Sequence, residues 1–102
     1  MIIVPEGDKR DISVLVERVR GSGTIPVTVP ERRILNSVRT LVTGYDWAAA
    51  TWDAGESSLT TLFDSTATGL SAPGTYFVQL RCVIGGERYA DEVEVRVREV
   101  GP

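Results

Sequence analysis

The chain has 102 residues, 42% of them apolar and 25% charged, with eleven basic against fourteen acidic side chains and a formal charge of −3. One domain-sized core fits that length, and the balance is that of a folded globular chain, neither disordered nor membrane-embedded. The acidic excess removes any global positive field for nucleic acid or an anionic membrane, and the absence of histidine removes the commonest general base, the commonest metal ligand and every Ser-His or Cys-His arrangement.

Met1-Ile2-Ile3-Val4-Pro5 lacks the charged n-region, long apolar stretch and small-residue cleavage site of a secretory signal, and no apolar run has the length of a membrane span. The expectation is a soluble chain made in the cytoplasm, unless a leader precedes this sequence. Asp11 to Val19 places Ile12, Val14 and Val16 on one face of a strand, and Thr24 to Val29 does the same with Ile25, Val27 and Val29. Arg20-Gly21-Ser22-Gly23 separates them as a loop, and Pro26, having no N–H to donate, assigns the second run to a sheet edge. Pro30-Glu31-Arg32-Arg33 reads as a turn, followed by β-rich runs at Val38–Thr43 and Tyr45–Trp52 on either side of Gly44.

Asp53-Ala54-Gly55-Glu56 is a further turn signal. Leu59 to Phe63 is ambiguous: Leu59, Leu62 and Phe63 fit one helical turn, whereas the surrounding serines and threonines favour a strand or extended loop. Ser65 to Ser71 is small and polar, closed by Ala72-Pro73-Gly74, and is expected to be the longest surface connection.

The clearest segment runs from Thr75 to Val97, where two alternating runs flank Gly85-Gly86. A glycine pair accepts the positive φ angles of a two-residue hairpin turn. The implied register sets Ile84 against Glu87, Cys82 against Tyr89, Leu80 against Asp91, Val78 against Val93 and Tyr76 against Val95. One face then carries Tyr76, Val78, Leu80, Cys82, Ile84, Tyr89, Val93 and Val95, and the other Gln79, Arg81, Arg88, Glu92, Glu94 and Arg96. On that wet face Gln79 stands opposite Glu92 and Arg81 diagonal to it. Cys82 is the only cysteine, so no internal disulfide exists, and its alternation makes it a core residue. About seven short strands with close turn signals and no convincing helix predict a sandwich or small barrel formed by residues 1–102 as one domain, with short extended terminal segments.

Chemistry-bearing patterns are weak. The carboxylate pairs Asp8/Asp11, Asp53/Glu56 and Asp91/Glu92 sit in turns or on a solvent face, and none of Asp8, Asp11 or Asp53 follows the spacing of a calcium loop. Gly69-Leu70-Ser71-Ala72-Pro73 has proline where a nucleophile elbow needs glycine, and Gly21-Ser22-Gly23 is not followed by the Lys-Ser/Thr of a phosphate loop. No enzymatic activity, cofactor or metal is expected. Contact residues are the better candidates. Trp47 and Trp52 have odd spacing, so a single regular strand would put them on opposite faces and leave one indole exposed, while a bulge would bury both. Arg18, Arg20, Arg32 and Arg33 form the densest basic group, either a solvated loop face or a site for an acidic partner.

Pro73-Gly74-Thr75-Tyr76-Phe77-Val78-Gln79-Leu80, then Gly85-Gly86, then Asp91-Glu92-Val93-Glu94-Val95-Arg96-Val97-Arg98 resembles the last two strands of bacterial and phage immunoglobulin-like domains. It is most similar to small proteins encoded among the head and tail genes of tailed bacteriophages, and the match is confined mainly to the final third. Pro-Gly-Thr-Tyr also resembles the tyrosine corner of immunoglobulin folds, with Tyr76 as the corner residue. The resemblance implies an all-β, immunoglobulin-like β-sandwich without a disulfide. It also implies a structural role in a virion assembled in the host cytoplasm, with other virion proteins or further copies of the chain as partners. Sheet edges at Ile25–Val29 and the C-terminal strand, with the 53–74 loops, would make the contacts. A binding module of a bacterial surface or secreted protein is the alternative.

Overall fold

The computed structural model describes residues 1–16 and 27–100. They form eight strands: β1 (Ile2–Pro5), β2 (Lys9–Leu15), β3 (Val27–Leu35), β4 (Ala48–Ala49), β5 (Thr51–Asp53), β6 (Ser58–Asp64), β7 (Gly74–Ile84) and β8 (Glu87–Arg98). Two sheets result, a five-stranded one in the order β1-β8-β7-β3-β4 and a three-stranded one in the order β2-β6-β5. Leu59 to Phe63 lies wholly within strand β6. No helix is present among the described residues.

The β7–β8 hairpin has the expected register, with Ile84 opposite Glu87, Cys82 opposite Tyr89, Val78 opposite Val93 and Tyr76 opposite Val95. Gly85 and Gly86 both take positive φ, 57° and 87°. That is the geometry of a tight turn whose twist matches its strands, and a side chain at either position would be strained. Alternation then does the sorting. Tyr76, Val78, Leu80, Cys82, Val95 and Val97 are buried on one side of the sheet. They meet Ile12, Val14, Val16, Leu59 and Phe63 from the three-stranded sheet. The Phe63 and Tyr76 rings pack edge to face, 5.6 Å apart. Tyr76 Oη also donates to the Ala72 carbonyl at 2.8 Å, fastening the approach to β7. Burial pushes the Cys82 thiol pKa up, which keeps it protonated and unreactive.

Several expectations are corrected. Pro30-Glu31-Arg32-Arg33 is no turn but the middle of β3, because a bulge between Thr28 and Glu31 absorbs the proline. Val29 carries the distortion, with φ at 50°. Val38–Thr43 is a loop, folded by Asn36, whose Oδ1 accepts from the backbone N–H groups of Val38 and Thr40. This connection, residues 36–47, is longer than the 65–73 connection. The latter is also not purely polar surface, since Leu70 and Ser65 are completely buried. Gly69 lets the two loops touch: a Cβ there would stand 2.9 Å from Val42 Cγ1.

The edges differ too. β8 is covered over its last residues by β1, which pairs with it in parallel from Ile2–Val95 to Pro5–Arg98. Val27 and Thr28 pair with Ile84 and Val83, while Ile25 and Pro26 lie outside the described residues, as do Arg20–Gly23. The outermost strands are β1 and β4 in one sheet and β2 and β5 in the other. Three of these have only four, two and three residues, and β2 opens with Lys9-Arg10-Asp11. Short or charged edges discourage strand addition, but Glu87–Glu94 of β8 has no strand partner on the side away from β7 among the described strands.

Truncating Phe63 to alanine should cost about 3–5 kcal/mol in urea unfolding, whereas Leu62→Ala, at a side chain half exposed on the outer face of the same strand, should cost under about 0.5 kcal/mol. Comparable losses at the two positions would contradict the assigned faces of β6.

Candidate contact face

The outer face of the five-stranded sheet holds the arginines and Trp47. The chain leaves β3 at Leu35, loops through residues 36–47, and returns along the sheet at β4, where Ala49 and Ala48 pair with Glu31 and Arg32. Ala50 N–H still donates to the Pro30 carbonyl, but Thr51 pairs with Thr60, so the chain changes sheets between these two residues. This switch decides the tryptophans. Trp52 stands opposite Leu59 and packs against the core, whereas Trp47 lies outside the core on the five-stranded sheet. Both indoles are half-buried, so neither is the exposed ring that a single regular strand anticipates; the crossing sends Trp52 to the core and Trp47 to the arginines of the outer face.

Trp47 is held by two guanidinium groups. Arg81 lies 3.7 Å from its ring centroid and Arg33 4.8 Å. Each arginine is anchored in turn. Arg81 Nε donates to Glu31 Oε1 at 3.0 Å, and Arg33 Nε donates to Gln79 Oε1 at 2.6 Å. Arg81 thus pairs across to β3 and not with its diagonal neighbour Glu92. Glu92 accepts instead from Arg39 Nη1 and Nη2, at 2.7 and 3.0 Å, and from Gln79 Nε2 at 3.0 Å. Arg39 also sits 4.1 Å over the Phe77 ring. A continuous row of planar groups, from Glu31 through Arg81, Trp47, Arg33, Gln79 and Glu92 to Arg39, therefore crosses three strands and a loop. Individually such pairs contribute only about 0–1 kcal/mol, but linked bidentate and stacked geometry restricts the rotamers of its members more than an isolated pair would.

Arg32 and Arg33 are not one basic patch. Consecutive residues of a strand point to opposite sides, so Arg32 stacks over Tyr45 at 5.2 Å and donates to the Asp46 carbonyl at 2.7 Å, away from Arg33. Arg18 and Arg20 lie outside the described residues. Arg81, Arg88 and Arg39 are contact-face residues that the sequence pattern did not single out. Gln79, Arg81 and Arg88 were legible as the wet side of the hairpin, but Arg39 and Trp47 join it from a loop.

Beside Trp47 the face dips into a shallow hollow of about 540 Å³ whose floor is Ala90 and whose rim includes Arg33, Arg81, Arg88 and Asp91. The candidate acids elsewhere serve turns. Asp53 Oδ1 accepts from the Gly55 and Glu56 N–H groups, and Asp8 Oδ1 from Lys9 N–H. Among the described residues no three His, Cys, Asp or Glu side chains gather as a metal site. No protein-family model, curated protein or solved structure matches the chain.

Hydrogen bonds from Arg39, and then from Gln79, hold the Glu92 carboxyl below its ordinary value of 4.5. A depressed carboxyl stabilises the fold fully above that ordinary value, and the contribution is lost as pH falls through the lower folded value. Glu92→Gln should therefore be less stable than the parent near neutral pH and converge with it in acid. Chemical denaturation at a series of pH values measures this, and a gap that widened in acid would exclude the assignment.

Proposed function

We propose that this chain is a non-enzymatic, immunoglobulin-like structural protein of a phage virion, a head–tail, tail or fibre-adaptor, or capsid accessory component working through protein–protein contact. The observation that carries the contact role is the clamped tryptophan. A Trp47 ring stacked on Arg33 and Arg81 at an outer sheet face brings together the residue types that dominate protein interfaces. Its side chains are already ordered, so little rotamer entropy remains to be lost on docking.

Strand order supports the immunoglobulin-like reading. β8-β7-β3-β4 opposing β2-β6-β5 corresponds to a variable-type arrangement in which the GFC sheet gains an extra strand and faces strands B, E and D. The Tyr76–Ala72 hydrogen bond has the tyrosine-corner form, a tyrosine near the start of strand F bonding back to the backbone upstream. The virion setting rests on the resemblance carried by Pro73–Leu80, Gly85-Gly86 and Asp91–Arg98. The outer face is the principal means of contact in this reading, and the part of β8 before Val95, which β1 does not cover, is a second surface to which a partner strand can add.

Particles purified on a density gradient from cultures of the encoding host should contain the chain at a fixed ratio to the major capsid protein, by quantitative mass spectrometry and immunogold labelling. Recovery only from the cell surface or the particle-free supernatant would overturn the virion assignment.

A further inference from the structure

We infer that the hollow over Ala90 is the docking site for a segment of a partner protein that brings a carboxylate to Arg33 and Arg88 and an apolar side chain to the Trp47 ring. The inference rests on the contact-domain reading above and adds the chemistry of the partner.

The charge ledger of the face points that way. Glu31 is taken up by Arg81, and Glu92 by Arg39 and Gln79. Asp91, on the rim, turns its carboxylate to the backbone N–H of Glu92 at 2.8 Å. Arg33 bonds the neutral Gln79 through Nε alone, and its terminal nitrogens have no acceptor among the described residues. Nor does Arg88 have one among them. Two guanidinium groups thus rim the same hollow without a carboxylate partner, and a planar carboxylate is the ligand their fork geometry fits.

Shape agrees with charge. Ala90 stands opposite Arg81 in the ladder, so a single methyl group forms the floor where its neighbours are long. The indole supplies an apolar wall next to the cations. Such a pocket takes an acidic residue adjoining an aliphatic or aromatic one. A polyphosphate fits less well, because the chain is net acidic and Asp91 lies at the rim. A second copy docking through the same face would oppose arginines to arginines.

The test uses the full chain, ¹⁵N-labelled, titrated with a short peptide alternating Glu and Leu and with its Gln-for-Glu counterpart. The Glu peptide should shift the Trp47 indole and Ala90 amide resonances, while the Gln peptide leaves them in place. Trp47→Ala and Arg88→Ala should each weaken binding about tenfold or more. Ala90→Arg, at an exposed position, should abolish it while the remaining spectrum stays native. Equal shifts from both peptides, shifts confined to another face, displacement by a single-stranded oligonucleotide, or concentration-dependent shifts of these resonances without peptide would each overturn the proposal. The two readings fail separately. A chain found on particles but indifferent to the Glu peptide keeps the virion role and loses this site; a chain that binds the peptide but is absent from particles does the reverse.

Discussion

The β7–β8 hairpin is the constraint on which the rest depends. Its two strands, eleven and twelve residues long, are the longest of the described strands, and their alternation makes one side mainly apolar, broken by Glu87 and Asp91, and the other mainly polar, broken by Phe77 and Val83. The inner side supplies Tyr76, Val78, Leu80, Cys82, Val95 and Val97 to a core with no disulfide to assist it. The outer side supplies Gln79, Arg81, Arg88, Ala90 and Glu92 to the contact face. A one-residue slip would exchange the two sets completely, burying three charges and exposing the aliphatic row. Core and contact face are thus two consequences of one register, and the positive φ values at Gly85 and Gly86 are what permit that register.

An arginine-rich sheet face repels itself less where some of its charges meet carboxylates. Here the partners come from distant parts of the chain: Arg81 meets Glu31 across 50 residues and Arg39 meets Glu92 across 53, while Arg33 is oriented by the neutral Gln79 across 46. Stacking on Trp47 and Phe77 then desolvates the flat faces of the guanidinium groups while leaving their edges to hydrogen-bond. The result is a surface whose polar groups are oriented before any partner arrives, a different material from a fringe of mobile lysines.

Legibility in the sequence followed the range of the forces involved. The hairpin, its turn, its register and its two faces could be read because glycine pairs and period-two alternation are local signals. The same holds for Ile12, Val14 and Val16, all buried as their spacing implies. β3 could not be read. Pro30 followed by three charged residues has the look of a turn, and only the bulge, the pairing of Glu31 and Arg33 with β7, and the placement of Arg32 against Tyr45 explain why such residues sit in a central strand. Val38 to Thr43 failed in the opposite sense, since β-branched composition there yields to the Asn36 side chain, which caps the loop. Of the four residues singled out for contact, Trp47 and Arg33 meet on one face, Arg32 turns to the other side and Trp52 goes to the core.

The crossing at Ala50–Thr51 places both tryptophans. Had the chain continued as one regular strand in either sheet, both tryptophans could have alternated without either being clamped. By holding Ala50 to Pro30 and Thr51 to Thr60, the protein sets Trp47 over the arginines of β3 and β7 and, a few residues on, docks Trp52 against Leu59. Pulling the indole off the face therefore strains a segment anchored in the core at its other end. Trp47 is thus tied to Arg33 and Arg81 on one side and, along the chain, to a segment whose Trp52 packs against the core, and this double attachment is the physical reason for proposing the face as a site of contact.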